Sequence, residues 1–286
     1  MTAKLISGKD LSGEIREEIK DEVEKLKAKG IEPHITVILI GDNPASLSYV
    51  RGKEKAAQAL GMSSEVLRLE ESTSEEELIT LVKELNENEK VHGILVQLPL
   101  PDHIDEQVVV ETIDPNKDVD GFHPVNVGRM MLGQDTLLPC TPFGVMKMLE
   151  WKGIEVEGKN AVIVGSSNIV GKPMGQLLLR EEATVTNCHI KTRDLKEHTR
   201  LADILVVAAG VPHLIKDEHV KEGAVVIDVG INRLEDGSLT GDVDFEKVKD
   251  KVSYITPVPG GVGPMTITML LYNTVQACKA LEQVEA

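Results

Sequence analysis

Short runs of almost uninterrupted apolar residues, each followed by a helical stretch, are the feature that most limits what this chain can become. HITVILIG (34–41) is the first, and HGILVQLPLP (92–101), NAVIVG (160–165), DILVVAAG (203–210) and GAVVIDVG (223–230) repeat the pattern. Strands buried on both faces of a parallel sheet have this character, because helices cover the sheet on either side. SSEVLRLE (63–70), ATVTNC (183–188) and YIT (254–256) read as further strands.

Helical segments alternate with them. Leu11, Ile15, Ile19, Val23 and Leu26 recur at helical spacing and stop at Gly30. Residues 45–60 form a second helix, and Thr73 or Ser74 opens a third whose early glutamates suit a helix N-terminus. Helices are also predicted over 104–113, 143–153, 171–181, about 194–201, and 265–281, with a loop dense in Asp, Gly and Pro over 114–140. Repeated β-α units specify an α/β layer fold. At 286 residues the chain exceeds one ordinary core of roughly 100–200 residues. The expectation is two domains, residues 1–139 of α/β type and 140–264 Rossmann-like and doubly wound, with a terminal helix within 265–286.

Charge and composition remove several functional classes. The formal charge is -16 and only seven residues are aromatic, so neither nucleic acid nor an anionic membrane is an expected partner. The N-terminus lacks the apolar stretch of a secretory signal, and no apolar run approaches the ~20 residues of a membrane span. Cys140, Cys188 and Cys278 are far apart, odd in number and outside any CxxC pair, which points to neither disulfides nor zinc and fits a reducing cytoplasm.

The sharpest local signal is AVIVGSSNIVGKPMGQLLL (161–179), a strand, a glycine turn and a helix. In a doubly wound sheet the first such turn holds a pyrophosphate against backbone N–H groups and the helix N-terminus. Gly165 permits the turn, Gly171 permits close helix packing, and the hydroxyls of Ser166 and Ser167 are available to phosphate. The same pattern also suits a plain turn. At the end of the next strand, 187–193 carries no carboxylate for a ribose 2′-hydroxyl but has Lys191 and Arg193. That favours NADP, or else marks a solvated helix start.

Candidate chemistry lies in the first half. Tyr49 and Lys53 share a helix face at i,i+4, whereas Lys55 points elsewhere. From spacing alone Lys53 reads equally as a solvated surface lysine. Gln97 interrupts an apolar strand near its C-terminal end, where an amide needs a partner and where open α/β sheets bind ligands. In DPNKDVDGFHP (114–124) the aspartates lack calcium-loop spacing, so no metal is expected. A loop carboxylate such as Asp120 suits the N–H donors of a heterocycle. PVPGGVGPMT (257–266) permits close backbone approach to a ligand and leaves room for a cis proline.

Taken together, GDNPASLSYVRGKEKAA (41–57), GILVQLPLP (93–101), PNKDVDGFHPVNVGR (115–129), PCTPFGV (139–145), VGSSNIVGKPM (164–174), EGAVVIDVGIN (222–232) and ITPVPGGVGPMT (255–266) resemble the bifunctional methylenetetrahydrofolate dehydrogenase/methenyltetrahydrofolate cyclohydrolase family. The resemblance implies that 1–139 is a catalytic domain on which the helix of 265–286 packs back and 140–264 a nucleotide-binding domain, with a cleft between them where 5,10-methylenetetrahydrofolate is oxidised by NADP+ and the methenyl product is hydrolysed to 10-formyltetrahydrofolate. It implies that Lys53 is the general acid/base, Tyr49 packs on the folate, Gln97 bonds the lysine region and Asp120 holds the pterin. Gly260, Gly261 and Pro264 would line the substrate site. Gly165, Ser166, Ser167, Ile190 and Ile231 would meet the cofactor, and the family is usually a homodimer. Burial beside a methenyl cation would move Lys53 from the ~10.4 of a free lysine toward neutrality. Some members carry Arg at the position of Ser166 and Ser at that of Ile190, both of which reach a 2′-phosphate. Lys191 or Arg193 would have to replace them here.

Overall fold

The structure is a computed structural model, and it describes residues 2–284, Ala45 by its backbone only. Residues 285 and 286, the end of the expected terminal helix, lie outside the described residues. The chain divides into two compact units, one of Glu14–Cys140 with Ile267–Ala286 and the other of Met1–Gly13 with Thr141–Thr266.

In the first unit, β2 (His34–Ile40) lies between β3 (Ser63–Leu69) and β4 (Gly93–Val96), and both pairings are parallel. Helices α2 (Pro44–Ala59) and α3 (Glu75–Glu87) connect these strands. Ser74 caps α3 by accepting from the Glu77 amide at 3.3 Å, while the Glu77 carboxylate accepts from the Ser74 amide at 2.8 Å. This reciprocal cap starts the helix where the sequence reading places it. Leu78, Val82 and Leu85 then bury one stripe of α3 against Ile38, Ile94 and Val96 of the sheet and Val109 of α4 (Glu106–Thr112).

The region expected as loop over 114–140 contains a helix, α5 (Pro124–Met131). His123 caps it, its Nδ1 accepting from the Val125 amide at 3.1 Å, and Pro124 stands in its first turn. Proline is pre-set for that position, since its missing N–H is one that a helix start leaves unused.

In the second unit, six strands pair in parallel in the order β1 (Lys4–Leu5), β11 (Tyr254–Ile255), β8 (Val225–Asp228), β7 (Ile204–Val207), β5 (Asn160–Val164), β6 (Thr184–Cys188). From β5 the chain passes through α7 (Gly171–Arg180) to β6, then returns to β7 on the opposite side of β5. The strand order thus reverses between β5 and β7, and their C-terminal ends form the switch point at which such sheets take ligands. Val162, Val164, Leu205, Val207 and Val226 build the core beneath.

Two differences from the sequence reading belong to this unit. The first thirteen residues, read with the catalytic half, belong here because β1 pairs with β11 and the Ile6 amide donates to the Ile255 carbonyl at 2.9 Å. A small antiparallel hairpin, β9 (Asn232–Arg233) with β10 (Leu239–Thr240), follows β8 and turns through Gly237 at φ +84°. The last long helices in chain order are α6 (Cys140–Trp151) and α10 (Val262–Leu281), each starting three residues before its predicted first residue.

Candidate active site

In the first unit the sequence candidates Lys53 and Gln97 come together. Lys53 projects from α2, and its Nζ donates to Gln97 Oε1 at 3.0 Å. Gln97 follows β4, and its own amide N–H still donates to the Ile38 carbonyl of β2 at 2.9 Å. Its Nε2 donates to the Leu98 carbonyl at 2.7 Å. This second bond sets which end of the amide is oxygen, so the carbonyl faces the ammonium. The Leu98–Pro99 peptide is cis and the strand ends before it. Lys53 is half-buried, Lys55 is exposed, and Tyr49 is 47% exposed on α2 one turn before Lys53.

Asp120 stands on a firmly tied loop. The buried Lys117 ammonium donates to the carbonyls of Leu85, Asn86 and Asn88 at 3.2, 2.7 and 2.8 Å, closing the end of α3. Asp118, buried, accepts from the His123 amide at 2.8 Å and from Asn126 Nδ2 at 2.9 Å. Val119 receives Asn273 Nδ2 at 2.9 Å and the Cys140 thiol at 3.2 Å on its carbonyl. Gly121 has φ +75°, and a Cβ there would lie 2.5 Å from the Leu138 carbonyl carbon, so only glycine fits. Low-polarity surroundings push the Asp120 carboxyl up to about 6; the Lys53 charge opposes that rise and Asp118 adds to it. Burial and the same two aspartates raise the Cys140 thiol well above its ordinary value. Lys53, Gln97 and Asp120 thus share one neighbourhood.

In the second unit the glycine turn after β5 has the geometry of an anion cradle. Gly165 has φ +139°, and a Cβ would stand 2.3 Å from the Ala208 carbonyl oxygen at the end of β7. A Cβ on Gly171 would stand 2.3 Å from the Gly165 carbonyl oxygen. Ser167 Oγ accepts from the amides of Val170 and Gly171 at 3.2 and 3.3 Å, just before and at the first residue of α7. Among the described residues, the amides of Ser166 to Ile169 donate to no protein acceptor. Unused N–H groups at a helix start beside a glycine turn fit a pyrophosphate. Past β6, Ile190 is 97% exposed, and Lys191 and Arg193 are exposed beside it.

The glycine-proline run forms a pocket of about 150 Å³ in this same unit. Ile231, Gly260, Gly261 and Pro264 line it together with Asp228 and Gly230. The Val258–Pro259 peptide in its wall is cis. The buried carboxylates of Asp228 and Asp242 beside it escaped the sequence reading. Asp228 ends an otherwise apolar strand, which is the same signal that singled out Gln97.

A three-stranded α/β unit in which a lysine, an amide and a carboxyl group come together, followed by a parallel-sheet unit with a glycine turn at its switch point, is the architecture of a nucleotide-dependent dehydrogenase. The catalytic domain of tetrahydrofolate dehydrogenase/cyclohydrolase matches residues 6–120, and the NAD(P)-binding domain of that family matches residues 139–282. The chain therefore belongs to the tetrahydrofolate dehydrogenase/cyclohydrolase family. It is 60% identical over 283 residues to the bifunctional protein FolD of Oceanobacillus iheyensis, covering 99% of each chain. Its fold matches that of the bifunctional FolD methylenetetrahydrofolate dehydrogenase/cyclohydrolase from Campylobacter jejuni with a TM-score of 0.96 at 57% identity, over 97% of this chain and 99% of the other. The Trypanosoma brucei dehydrogenase-cyclohydrolase, solved with NADP cofactor and inhibitor, matches with a TM-score of 0.95 at 41% identity over the whole of both chains. No helix among the described residues is long and apolar enough to cross a membrane.

Proposed function

We propose that the chain oxidises 5,10-methylenetetrahydrofolate to the 5,10-methenyl cation with NADP+ and hydrolyses that cation to 10-formyltetrahydrofolate, with Lys53 as general acid/base. The observation that carries the residue assignment is the 3.0 Å bond from Lys53 to Gln97, with the Asp120 carboxylate close enough to feel the lysine charge.

When bound, NADP+ supplies the acceptor for the hydride that leaves the folate methylene carbon. The amides after Gly165 and the Ser167 hydroxyl would hold the pyrophosphate, and Lys191 and Arg193 would be the cations available to a 2′-phosphate. Asp120 accepts from the N–H donors of the pterin, and Tyr49, exposed on α2, offers its ring for stacking. Oxidation then needs little beyond alignment.

Hydrolysis asks more of the side chains. Water adds to the methenyl carbon and passes a proton to the neutral form of Lys53. Lys53 returns that proton to N5 as the carbon–N5 bond breaks, and the hydroxyl on the former methenyl carbon closes to a carbonyl by losing its proton to solvent, which leaves the formyl group on N10. Gln97 Oε1 holds the ammonium in place between the two transfers. The enzyme works as a cytoplasmic homodimer, a reading supported by family resemblance alone. The test is methenyltetrahydrofolate absorbance after mixing methylenetetrahydrofolate with NADP+ or NAD+, followed by its decay. Formation without decay would remove the hydrolase half of the proposal. No formation with either cofactor would leave a cofactor-sensing protein as the better reading.

A further inference from the structure

Two buried carboxylates tie together the loops at the cofactor rim of the second unit, and no step described so far uses them. Asp242 is fully buried. Its Oδ2 accepts from the amides of Ala209 and Gly210 at 2.6 and 2.8 Å, and its Oδ1 accepts from Asn232 Nδ2 at 2.8 Å. Asp228 lies beneath it at the end of β8. Asp228 Oδ1 accepts from the amides of Gly230 and Asp242, both at 3.0 Å, and Oδ2 from the Val243 amide at 2.9 Å. The Asp228 amide donates to Thr256 Oγ1 at 2.7 Å.

The glycines around the pair show how tightly it is built in. A Cβ on Gly241 would lie 1.8 Å from Asp228 Oδ2, and one on Gly230 would lie 2.3 Å from the Asp242 carboxyl carbon. The carboxylates occupy the space that two side chains would otherwise fill. Buried charge is tolerated when several N–H donors converge on it, and Asp242 receives three. Desolvation and the Asp242 charge push the Asp228 carboxyl up to about 7. An apolar residue would plug this space at lower cost in burial, so hydrogen-bond geometry is what the pair supplies.

The tied segments are the ones a dinucleotide must meet. Ala209 and Gly210 follow β7 directly, next to Ala208, whose carbonyl faces Gly165. Val229, Gly230 and Ile231 line the pocket with the glycine-proline run. We propose that Asp242, seated on Asp228, is a positioning residue that holds the loops after β7 and β8 in register with the pyrophosphate turn, so that the nicotinamide half of the cofactor is clamped for hydride transfer. This rests on placing the cofactor at the β5–β7 switch point.

The test compares Asp242→Asn with Asp203→Asn. Asp203 stands at the opposite end of β7 and pairs with Lys221, so its loss perturbs the same strand away from the rim. Three quantities are read for each variant: the KM for NADP+, the dehydrogenase kcat, and the cyclohydrolase kcat on supplied methenyltetrahydrofolate. Asp242→Asn is expected to raise the KM for NADP+ at least 10-fold, or to cut the dehydrogenase kcat by as much, with cyclohydrolase kcat within twofold of wild type. Asp203→Asn, at an equal or greater loss in Tm, is expected to leave all three within twofold. Equal effects from the two variants, or a parallel loss of both activities in Asp242→Asn, would overturn the proposal. Should Asp242→Asn fail to fold, Asn232→Ala keeps the carboxylate and removes one donor; a 3-fold or larger rise in KM for NADP+ is expected, and an unchanged KM would overturn the proposal. Hydrogen exchange of the wild-type enzyme separates the underlying reading: if NADP+ fails to protect residues 165–172, the switch-point site itself is wrong, whatever the variants do.

Discussion

The Lys53 ammonium is held by the side-chain carbonyl of Gln97 at 3.0 Å, and the same glutamine is pinned by its Nε2 to the Leu98 carbonyl. The lysine is thus fixed by an uncharged acceptor rather than by a carboxylate. Hydrogen bonds to a charged group are worth about 1.5–3 kcal/mol, so Gln97→Ala is expected to lower the cyclohydrolase kcat by roughly 10- to 100-fold. Its dehydrogenase kcat should fall less. A Gln97→Ala enzyme with unaltered cyclohydrolase would show that the bond is incidental.

Asp120 gives the enzyme a pH dependence. Its carboxyl sits at about 6, above the ordinary value because of burial. Above that pH it is a carboxylate and accepts from pterin donors; below it the added proton blocks an acceptor site. The KM for folate should therefore rise as the pH falls through about 6, and this inflection should vanish in Asp120→Asn. That variant should weaken folate binding more than NADP+ binding. Equal losses for both would mark the loop as structural.

Gly121→Ala tests how the Asp120 loop is held. The new methyl meets the backbone of Leu138 and Pro139 and a left-handed φ of +75°. Strain of this kind costs about 1–3 kcal/mol before any clash is relieved. Urea unfolding should show a loss of at least that size, with a raised KM for folate. Wild-type stability would mean that the 138–139 segment yields freely.

Cofactor choice follows from the end of β6. No carboxylate stands there to bond a ribose hydroxyl, and Lys191 and Arg193 are exposed nearby. One exposed charge contact is worth about 0.2–1 kcal/mol, so the preference for NADP over NAD from one cation stays under ~10-fold. The ratio of kcat/KM for the two cofactors should favour NADP and shrink as salt is added. A preference for NAD would require a ribose contact from another residue.

Much of the fold was legible because its signals are local. The apolar runs of β2, β5, β7 and β8 and the Ser74–Glu77 cap of α3 each declare themselves within a few residues. β1 was not legible, since two exposed residues become a strand only by pairing with β11, some 250 positions away. α5 was hidden because its His123 cap and Pro124 start lie in a stretch whose Asp and Gly content reads as loop. Of the site, Lys53 and Gln97 were legible as types, but their bond joins α2 to the end of β4 across 44 positions and no spacing rule could supply it. Asp242 escaped because it follows a glycine just past a polar hairpin, and only the folded chain brings three donors to it.

In the proposed mechanism one lysine of the first unit performs the hydrolysis, and its loss leaves the nucleotide unit untouched. The direct measurement is Lys53→Ala, assayed for hydrolysis of supplied methenyltetrahydrofolate and for NADP+ affinity by titration. Hydrolysis is expected to fall to background, with NADP+ affinity within twofold of wild type and Lys55→Ala nearly silent. Hydrolysis by Lys53→Ala at close to the wild-type rate would contradict it.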